Sequence, residues 1–129
     1  QRAAKKAYEN VGIGPNDLNV VELHDASAFA ELEIYEELGL CAPGESGKLI
    51  DEGATEINGR IPVNPSGGLL AKGHPVGATG VAQICEVFWQ LRGEAGKRQV
   101  RNAKIGLTEN AGGMVRNEAA AIGIHIFGV

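Results

Sequence analysis

The sequence predicts a layered α/β domain in which helices pack against a sheet. Apolar residues alternate between helical and strand-like spacing in the order helix, strand, helix, strand, helix, strand, strand. The 129 residues have the length of one ordinary domain that buries a single core. The sequence contains no internal repeat or clear boundary, so residues 1–129 are predicted to form a single domain.

The first helix and strand are predicted within the first 23 residues. Residues 2–12 have apolar side chains at helical spacing, and Gly12 is expected to end the helix. Residues 14–17 have the composition of a turn. Residues 19–23 are rich in β-branched side chains and predict a short strand.

A second helix and a long irregular segment are predicted next. Ser27 is a suitable N-cap, and Glu31 would lie in the first turn of the helix. Residues 41–61 are rich in Pro, Gly and Glu, with a short helix at 48–52. Residues 61–63 are predicted to be extended, because proline favours an extended residue before it.

The last part of the chain predicts a long helix and two strands. The helix covers residues 78–91, and the strands cover 104–108 and 119–127, with a glycine turn at 109–113 between them. The residues of the helix that are expected to form one buried stripe are Val81, Ile84, Cys85, Phe88 and Leu91. Val87 and Trp89 widen that stripe, so the helix is expected to be covered on more than one side.

The composition is that of a globular protein that neither binds nucleic acid nor spans a membrane. The formal net charge is −4 at pH 7, whereas a general nucleic-acid binder carries a basic surface. No apolar run approaches the roughly 18 residues of a membrane span, and the first residues do not resemble a signal peptide. Cys41 and Cys85 do not form a disulfide framework. A reducing, cytoplasmic location is therefore expected, or a peroxisomal one if the source is eukaryotic.

Glycine is unusually frequent, with 19 residues, about twice the usual share of roughly 7%. The glycines concentrate in residues 67–80 and 106–113, between periodic segments. Because glycine permits positive φ and close approach of the backbone, these segments are expected to build a site from backbone groups. Gly73, Gly112 and Gly113 are the candidate substrate-binding residues.

His74 is the first candidate catalytic residue. It lies between Gly73 and Pro75, directly before the predicted long helix. An imidazole in this place can transfer a proton near pH 7, or donate a hydrogen bond to an oxygen that becomes negative. The alternative is a structural histidine at the helix entry, which the surrounding glycines disfavour. The glycine spacing does not match a dinucleotide-binding fingerprint.

Two further polar pairs follow predicted strands. His24 can hold a water or donate to an oxyanion, while Asp25 fixes its tautomer or caps a helix. Glu109 is a candidate general base beside Asn110, or else an exposed turn carboxylate. His125 is expected to be a packed strand residue. Because no Cys/His spacing resembles a zinc site, no metal is predicted.

Four segments of the sequence resemble the thiolase family. Residues 64–68 (Asn-Pro-Ser-Gly-Gly) and 73–80 (Gly-His-Pro-Val-Gly-Ala-Thr-Gly) resemble the C-terminal signature of thiolases. Residues 21–25 (Val-Glu-Leu-His-Asp) and 89–99 resemble the sterol-carrier-protein type, a group of lipid-transfer and acetyl-CoA acetyltransferase-like thiolases. The resemblance covers nearly the whole chain, and its glycine–histidine motif is long and specific.

The resemblance implies an α/β/α domain with a five-stranded mixed sheet, the second of two similar halves. The nucleophilic Cys of thiolases belongs to the first half, which is expected to be absent here, so that the chain would be inactive alone. By motif, His74 would activate that Cys and contribute to the thioester oxyanion hole. His24 would replace the residue that positions a water in the other oxyanion hole. The implied substrate is a coenzyme A thioester, with no further cofactor, and the parent is expected to be a homo-oligomer.

The sequence departs from the family at its second, acid/base Cys. Thiolases of the ordinary type place that Cys in the last glycine turn, where this chain has Asn110. The sterol-carrier-protein type places it directly after the His-Asp pair, where this chain has Ala26. Either Glu109 substitutes, or a residue of the first half does so, or the reaction has changed.

Three functions are therefore compared. The leading hypothesis is one half of an acyl-CoA C-acyltransferase, which makes or breaks a carbon–carbon bond beside a thioester in acyl-CoA and lipid metabolism. The second is a thiolase-like retro-aldol lyase subunit, whose relatives work with a small OB-fold companion protein. The third is a non-catalytic acyl-CoA or lipid-binding module. Retention of His74 favours the first, because those lyases commonly replace it.

A cluster of basic residues late in the chain has two interpretations. It is either a solvated helix end and loop, or a contact for an anionic group such as a phosphate of coenzyme A. The residues are Arg92, Lys97, Arg98, Arg101 and Lys104.

Overall fold

The computed structural model describes residues 1–116 and 118–129. In chain order these residues form a helix, a strand, four helices and two strands, so the strand predicted between the second helix and the long helix is not formed among them. Short 3₁₀ turns lie at Pro15–Asp17 and Gly96–Arg98. The helices are α1 (Arg2–Val11), α2 (Ala28–Glu37), α3 (Ser46–Asp51), α4 (Gly68–Lys72) and α5 (Thr79–Arg92). The strands are β1 (Val20–Glu22), β2 (Ile105–Val115) and β3 (Glu118–Gly128).

The predicted ends of the first two helices are confirmed. Gly12 ends α1 in the left-handed conformation, with φ of 70°, and its N–H donates to the Tyr8 carbonyl at 2.9 Å. Ser27 caps α2, because its hydroxyl oxygen accepts a hydrogen bond from the Ala30 N–H at 3.1 Å.

In the described residues 1–116 and 118–129, the sheet has three strands in the order β1-β2-β3, and the expected five strands are not found there. β1 pairs with β2 in parallel, and β2 pairs with β3 antiparallel. Residues 61–63 lie beside β1 as an extended segment but form only one bridge, between Val63 and Val21. The segment cannot extend the ladder, because Pro62 has no N–H to donate and Asn64 already turns the chain with φ of 49°.

The predicted glycine turn at 109–113 is also wrong, because β2 continues through it. Glu109 lies opposite Ile124, Ala111 opposite Ile122 and Gly112 opposite Ala121. A small-residue strand has little strand propensity of its own, but pairing with the isoleucine-rich β3 supplies the missing contacts. Among residues 109–113, the left-handed conformation appears at Gly113, with φ of 64°.

One face of the sheet carries the apolar core. Alternate residues of β2 point to this face, where Leu107 is fully buried and Ile105 packs against the same cluster. Helices α1, α2 and α3 cover the cluster. Its largest fully buried members are Leu23, Tyr35, Leu38, Ile61 and Leu107.

The other face of the sheet is covered by α5, where only part of the predicted apolar stripe is buried: Val87 is fully buried and Leu91 packs against Val20. Val81 is 62% exposed, Phe88 53% and Trp89 44%. The strand residues on this face include the buried polar Glu22 and Thr108, so the polar side of α5 turns inward to meet them. The buried residues of α5 are Thr79, Gln83, Glu86, Val87 and Gln90.

Gly106 sets how closely α5 approaches the sheet. A Cβ atom at this position of β2 would overlap the Val87 side chain of α5. Only glycine therefore fits between the helix and the strand without displacing one of them.

Candidate functional site

His24 follows the end of β1, and two buried carboxylates hold the loop that carries it. The His24 N–H donates to Glu109 Oε2 at 3.0 Å. Asp25 accepts hydrogen bonds from the Leu69 and Leu70 N–H groups at 2.7 and 3.3 Å. Asp25 is thus a helix cap, but it caps α4 and not α2, the helix that follows it in the chain and that Ser27 caps.

His74 lies between α4 and α5, where Gly73 ends α4 with φ of 88°. Its Nδ1 is 2.7 Å from Thr79 Oγ1, and Thr79 Oγ1 donates to the Pro75 carbonyl at 3.2 Å. The hydroxyl has a single hydrogen, which this second bond uses. His74 Nδ1 then donates to Thr79, and in the neutral ring this leaves Nε2 without a proton and able to act as a base.

The structure brings the two predicted histidines together. The ring centroids of His24 and His74 are 5.0 Å apart, and the rings meet edge to face at 84°. Burial, and secondarily the His74 charge, lower the pKa of His24 below its ordinary 6.5, while Asp25 acts in the opposite direction. His24 therefore favours the neutral form near pH 7.

Asn110 joins this pair from β2. Its Nδ2 lies 3.2 Å from His24 Nδ1 and 3.0 Å from Gln83 Oε1. Gly80 of α5 lies beside this amide, where a Cβ atom would make an ordinary van der Waals contact. Asn110 thus lies beside the imidazole pair, on a strand and not in a turn, and its catalytic role stays a prediction.

Glu109 is held differently from its neighbour. Adjacent strand residues point to opposite faces, so its side chain lies on the side of the apolar core and is only 4% exposed. Burial raises the pKa of Glu109, while the hydrogen bond from the His24 N–H lowers it less. Its carboxylate contacts the site through the His24 backbone, and its role as a general base stays a prediction.

The remaining predicted residues differ in how they relate to the imidazole pair. Gly73 adjoins His74, whereas Gly112 and Gly113 lie in the exposed part of the β2–β3 hairpin. The binding role of these three glycines stays a prediction. His125, which was expected to be packed, is exposed and stacks on Phe127 with centroids 6.2 Å apart. It is exposed because β3 extends beyond the cover of α5.

Gln83 and Thr79 are site residues that the sequence interpretation missed. Both are buried on the inner side of α5 and contact the imidazole pair directly or through Asn110. A signal was present, because polar residues recur along the helix at intervals of four, three and four. These residues are Thr79, Gln83, Glu86 and Gln90.

The described residues also bear on metal binding and on membrane insertion. Among residues 1–116 and 118–129, no three His, Cys, Asp or Glu side chains come together as metal ligands would. In the same residues, no helix is both long and apolar enough to cross a lipid bilayer.

The fold and the site define a thiolase-like α/β domain with paired imidazoles at the edge of its sheet. The family model described as thiolase C-terminal domain-like matches residues 1–124. The chain belongs to this thiolase C-terminal domain-like family, which confirms the resemblance seen in the motifs.

Curated relatives fall in the same family. The chain is 55% identical over 112 residues to sterol carrier protein 2 of Rattus norvegicus, covering 87% of this chain and 20% of that protein. It is 50% identical over 125 residues to acetyl-CoA acetyltransferase of Methanothermobacter thermautotrophicus, covering 97% of this chain and 32% of that protein. The chain thus spans between a fifth and a third of the length of these relatives.

A solved structure has a similar fold. The Ltp2–ChsH2(DUF35) aldolase matches with a TM-score of 0.75 and 31% identity, covering 82% of this chain and 27% of that one. This similarity supports the thiolase-like α/β architecture.

Proposed function

We propose that this chain is the C-terminal half of an acyl-CoA C-acyltransferase of the thiolase kind and is inactive alone. The observation that carries the proposal is the His24–His74 pair, with centroids 5.0 Å apart at the edge of the sheet. The similarity to an acetyl-CoA acetyltransferase supports it. The substrate is a coenzyme A thioester, and no other cofactor enters the reaction.

The reaction has two acyl transfers. His74 Nε2 takes the thiol proton of a Cys in the companion N-terminal half, and the thiolate attacks the 3-keto carbon of a 3-ketoacyl-CoA. The C2–C3 bond breaks, the acyl group stays on sulfur, and the electron pair left at C2 takes a proton. The thiol of free coenzyme A then attacks the acyl group, and the bond to the Cys sulfur breaks to restore the thiol.

The proton for C2 comes from the imidazole pair in this proposal. Asn110 and Ala26 stand where the family has its second Cys, and neither side chain ionises near neutral pH. His24 and His74 are the titratable groups that the structure places ring to ring. Glu109 holds the His24 backbone from the opposite face and acts as a positioning residue.

The companion half covers the outer face of α5, whose Val81, Phe88 and Trp89 are exposed here. A helix that buries its polar side and exposes its apolar side is stable in water only at a cost, which a partner surface removes. The same face is expected to make the isolated chain self-associate, and the complete protein is expected to be a homo-oligomer.

The expected location of the protein is cytoplasmic, or peroxisomal in a eukaryote.

Two ion pairs reduce the number of basic residues that are candidates to contact a phosphate of coenzyme A. Arg98 binds the buried Glu86 at 2.8 Å, and Arg92 binds Glu94 at 2.7 Å. These two arginines already balance protein carboxylates. Lys97, Arg101 and Lys104 are then the better candidates for an anionic group.

A retro-aldol lyase is the second candidate function. The similarity to the Ltp2–ChsH2(DUF35) aldolase favours it, and such a subunit would work with a small OB-fold companion protein. Retention of His74 beside His24 favours acyl transfer instead. A non-catalytic acyl-CoA or lipid-binding module is the third candidate. It is favoured because neither of the two positions at which the family places its second Cys has a Cys in this chain.

Cleavage of acetoacetyl-CoA, followed by absorbance with free coenzyme A present, tests the proposal. The chain alone is expected to show no turnover above a His74→Ala control, and turnover is expected when the companion half is co-expressed. In that complex, His74→Ala should lower kcat by about 10²–10⁴. Turnover by the chain alone, or full activity of the His74→Ala complex, would contradict the proposal.

A further inference from the structure

A chain of amide hydrogen bonds runs from the backbone of β2 to His24. The Gln83 Nε2 donates to the Glu109 carbonyl at 2.9 Å, and Gln83 Oε1 accepts from Asn110 Nδ2 at 3.0 Å. The same Asn110 Nδ2 lies 3.2 Å from His24 Nδ1. Gln83 is fully buried, so water does not compete for its bond to the Glu109 carbonyl.

The Glu109 backbone carbonyl fixes which group donates and which accepts in every bond of this chain. A backbone carbonyl can only accept, so the Gln83 amide must present its nitrogen to Glu109 and its oxygen to Asn110. Asn110 must then present its nitrogen to Gln83, and the second hydrogen of that nitrogen points to His24. His24 Nδ1 can only accept this hydrogen, so the proton of the neutral ring must be on Nε2.

We propose that Gln83 and Asn110 are positioning residues, forming an amide relay that holds His24 with its proton on Nε2. His24 thereby donates a hydrogen bond into the site through Nε2. His74, whose Nδ1 is engaged by Thr79, presents the opposite character there, an unprotonated Nε2. The relay gives the site one fixed donor and one fixed acceptor from two chemically identical rings.

The relay also explains why Asn is present where the family has an acid/base Cys. An aspartate at residue 110 would accept a hydrogen bond from His24 and so favour the tautomer with the proton on Nδ1. An apolar residue at this position would favour neither tautomer. Only a side chain that donates twice, to Gln83 and to His24, satisfies both neighbours. The catalytic meaning of the relay rests on the proposed acyl transfer, whereas its existence does not.

Nitrogen NMR of the intact chain tests the relay directly. Long-range ¹H–¹⁵N correlation spectra distinguish protonated from unprotonated ring nitrogens, and the chain has only three histidines to assign. His125→Gln and His74→Asn variants assign the signals. At alkaline pH, His24 is expected to carry its proton on Nε2, and a proton on Nδ1 would overturn the proposal.

Asn110→Asp is the decisive variant, because it keeps the size of the side chain and replaces the donor with an acceptor. His24 is expected to switch to the Nδ1-protonated form, while Asn10→Asp on the exposed side of α1 leaves it unchanged. Should Asn110→Asp not fold, Gln83→Met removes the group that orients Asn110, and a mixture of His24 tautomers is expected.

An Nε2-protonated His24 that persists in whichever of these variants folds would overturn the relay. Because the spectra report protons and not turnover, failure of the acyl transfer would leave this result unaffected.

Discussion

The two faces of the sheet are built on opposite principles. On the side of α1, α2 and α3, apolar side chains such as Leu107 and Tyr35 are removed from water. On the side of α5, polar groups are equally buried but hydrogen-bonded, Gln83 to Asn110 and Glu86 to Gln90 and Arg98. Burial on the first face stabilises the fold but does not fix the orientation of individual groups. On the second face, hydrogen bonds fix the orientation of each polar side chain.

Leu107→Ala should have the largest effect on stability. The side chain is fully buried in the apolar cluster, and deleting it leaves a cavity as well as lost burial. The free energy of unfolding is expected to fall by about 2–5 kcal/mol. Urea denaturation measures this loss, and a loss below about 1 kcal/mol would show that this face does not dominate stability.

Arg98→Met should have a smaller effect, on the polar face. The substitution removes the Arg98 guanidinium and leaves the buried Glu86 carboxylate without its positively charged partner. Because the Arg98 side chain is 44% exposed and solvent screens the pair, we expect a loss of about 1–2 kcal/mol.

Lys97→Met is the matched control for this prediction, since it removes a neighbouring positive charge in the same 3₁₀ turn. Equal losses of unfolding free energy in both variants would mean that the Glu86 contact contributes nothing.

Glu109→Gln sharpens the comparison through its pH dependence. Burial raises the folded pKa of Glu109 above its ordinary 4.5, so the folded protein binds the proton more tightly than the unfolded chain. The contribution of Glu109 to the free energy of unfolding is fully present below the ordinary pKa of 4.5. It is lost as the pH rises through the raised pKa of the folded protein. Each unit of raised pKa corresponds to about 1.4 kcal/mol.

The variant should therefore lose less stability than the wild type between acid and neutral pH, as measured by urea denaturation across that range. A steeper loss would contradict this expectation. Glutamine keeps an oxygen for the His24 N–H, so turnover of the complete enzyme should stay within about tenfold. A loss of about 10² or more would instead support Glu109 as the general base.

Phe88→Gln should have the smallest effect on stability. The ring is half exposed and lies under the Arg92 guanidinium, 5.2 Å from centroid to carbon. The unfolding free energy should change by no more than about 0.5 kcal/mol, while self-association of the isolated chain weakens in sedimentation at micromolar concentration. A clean monomer for the wild type would show that this face needs no partner.

The sequence predicted the apolar face better than the polar one. Gly12 and Ser27 set helix ends through local chemistry, which any sequence shows directly. The His24–His74 pair was found because motifs carry it. The orientation of α5 was missed, since spacing shows that a helix has two faces but not which one meets the sheet. That choice depends on Glu22 and Thr108, which come from distant strands.

The hairpin was missed for a related reason. Residues 109–113 have the composition of a turn, and only their pairing with β3 makes them a strand. The Gln83 contact with Asn110 likewise joins residues 27 positions apart, so it depends on that register.

The contact between Asp25 and Gly68 has an evolutionary consequence. A Cβ atom at residue 68 would overlap the Asp25 carboxylate, and the backbone there has φ of 60°. Asp25 is in turn the residue next to His24. Substitutions at the start of α4 and at the end of β1 should therefore be selected together, although 43 positions separate them. Related chains that lose this glycine should also lose the aspartate, and they should hold His24 by some other means.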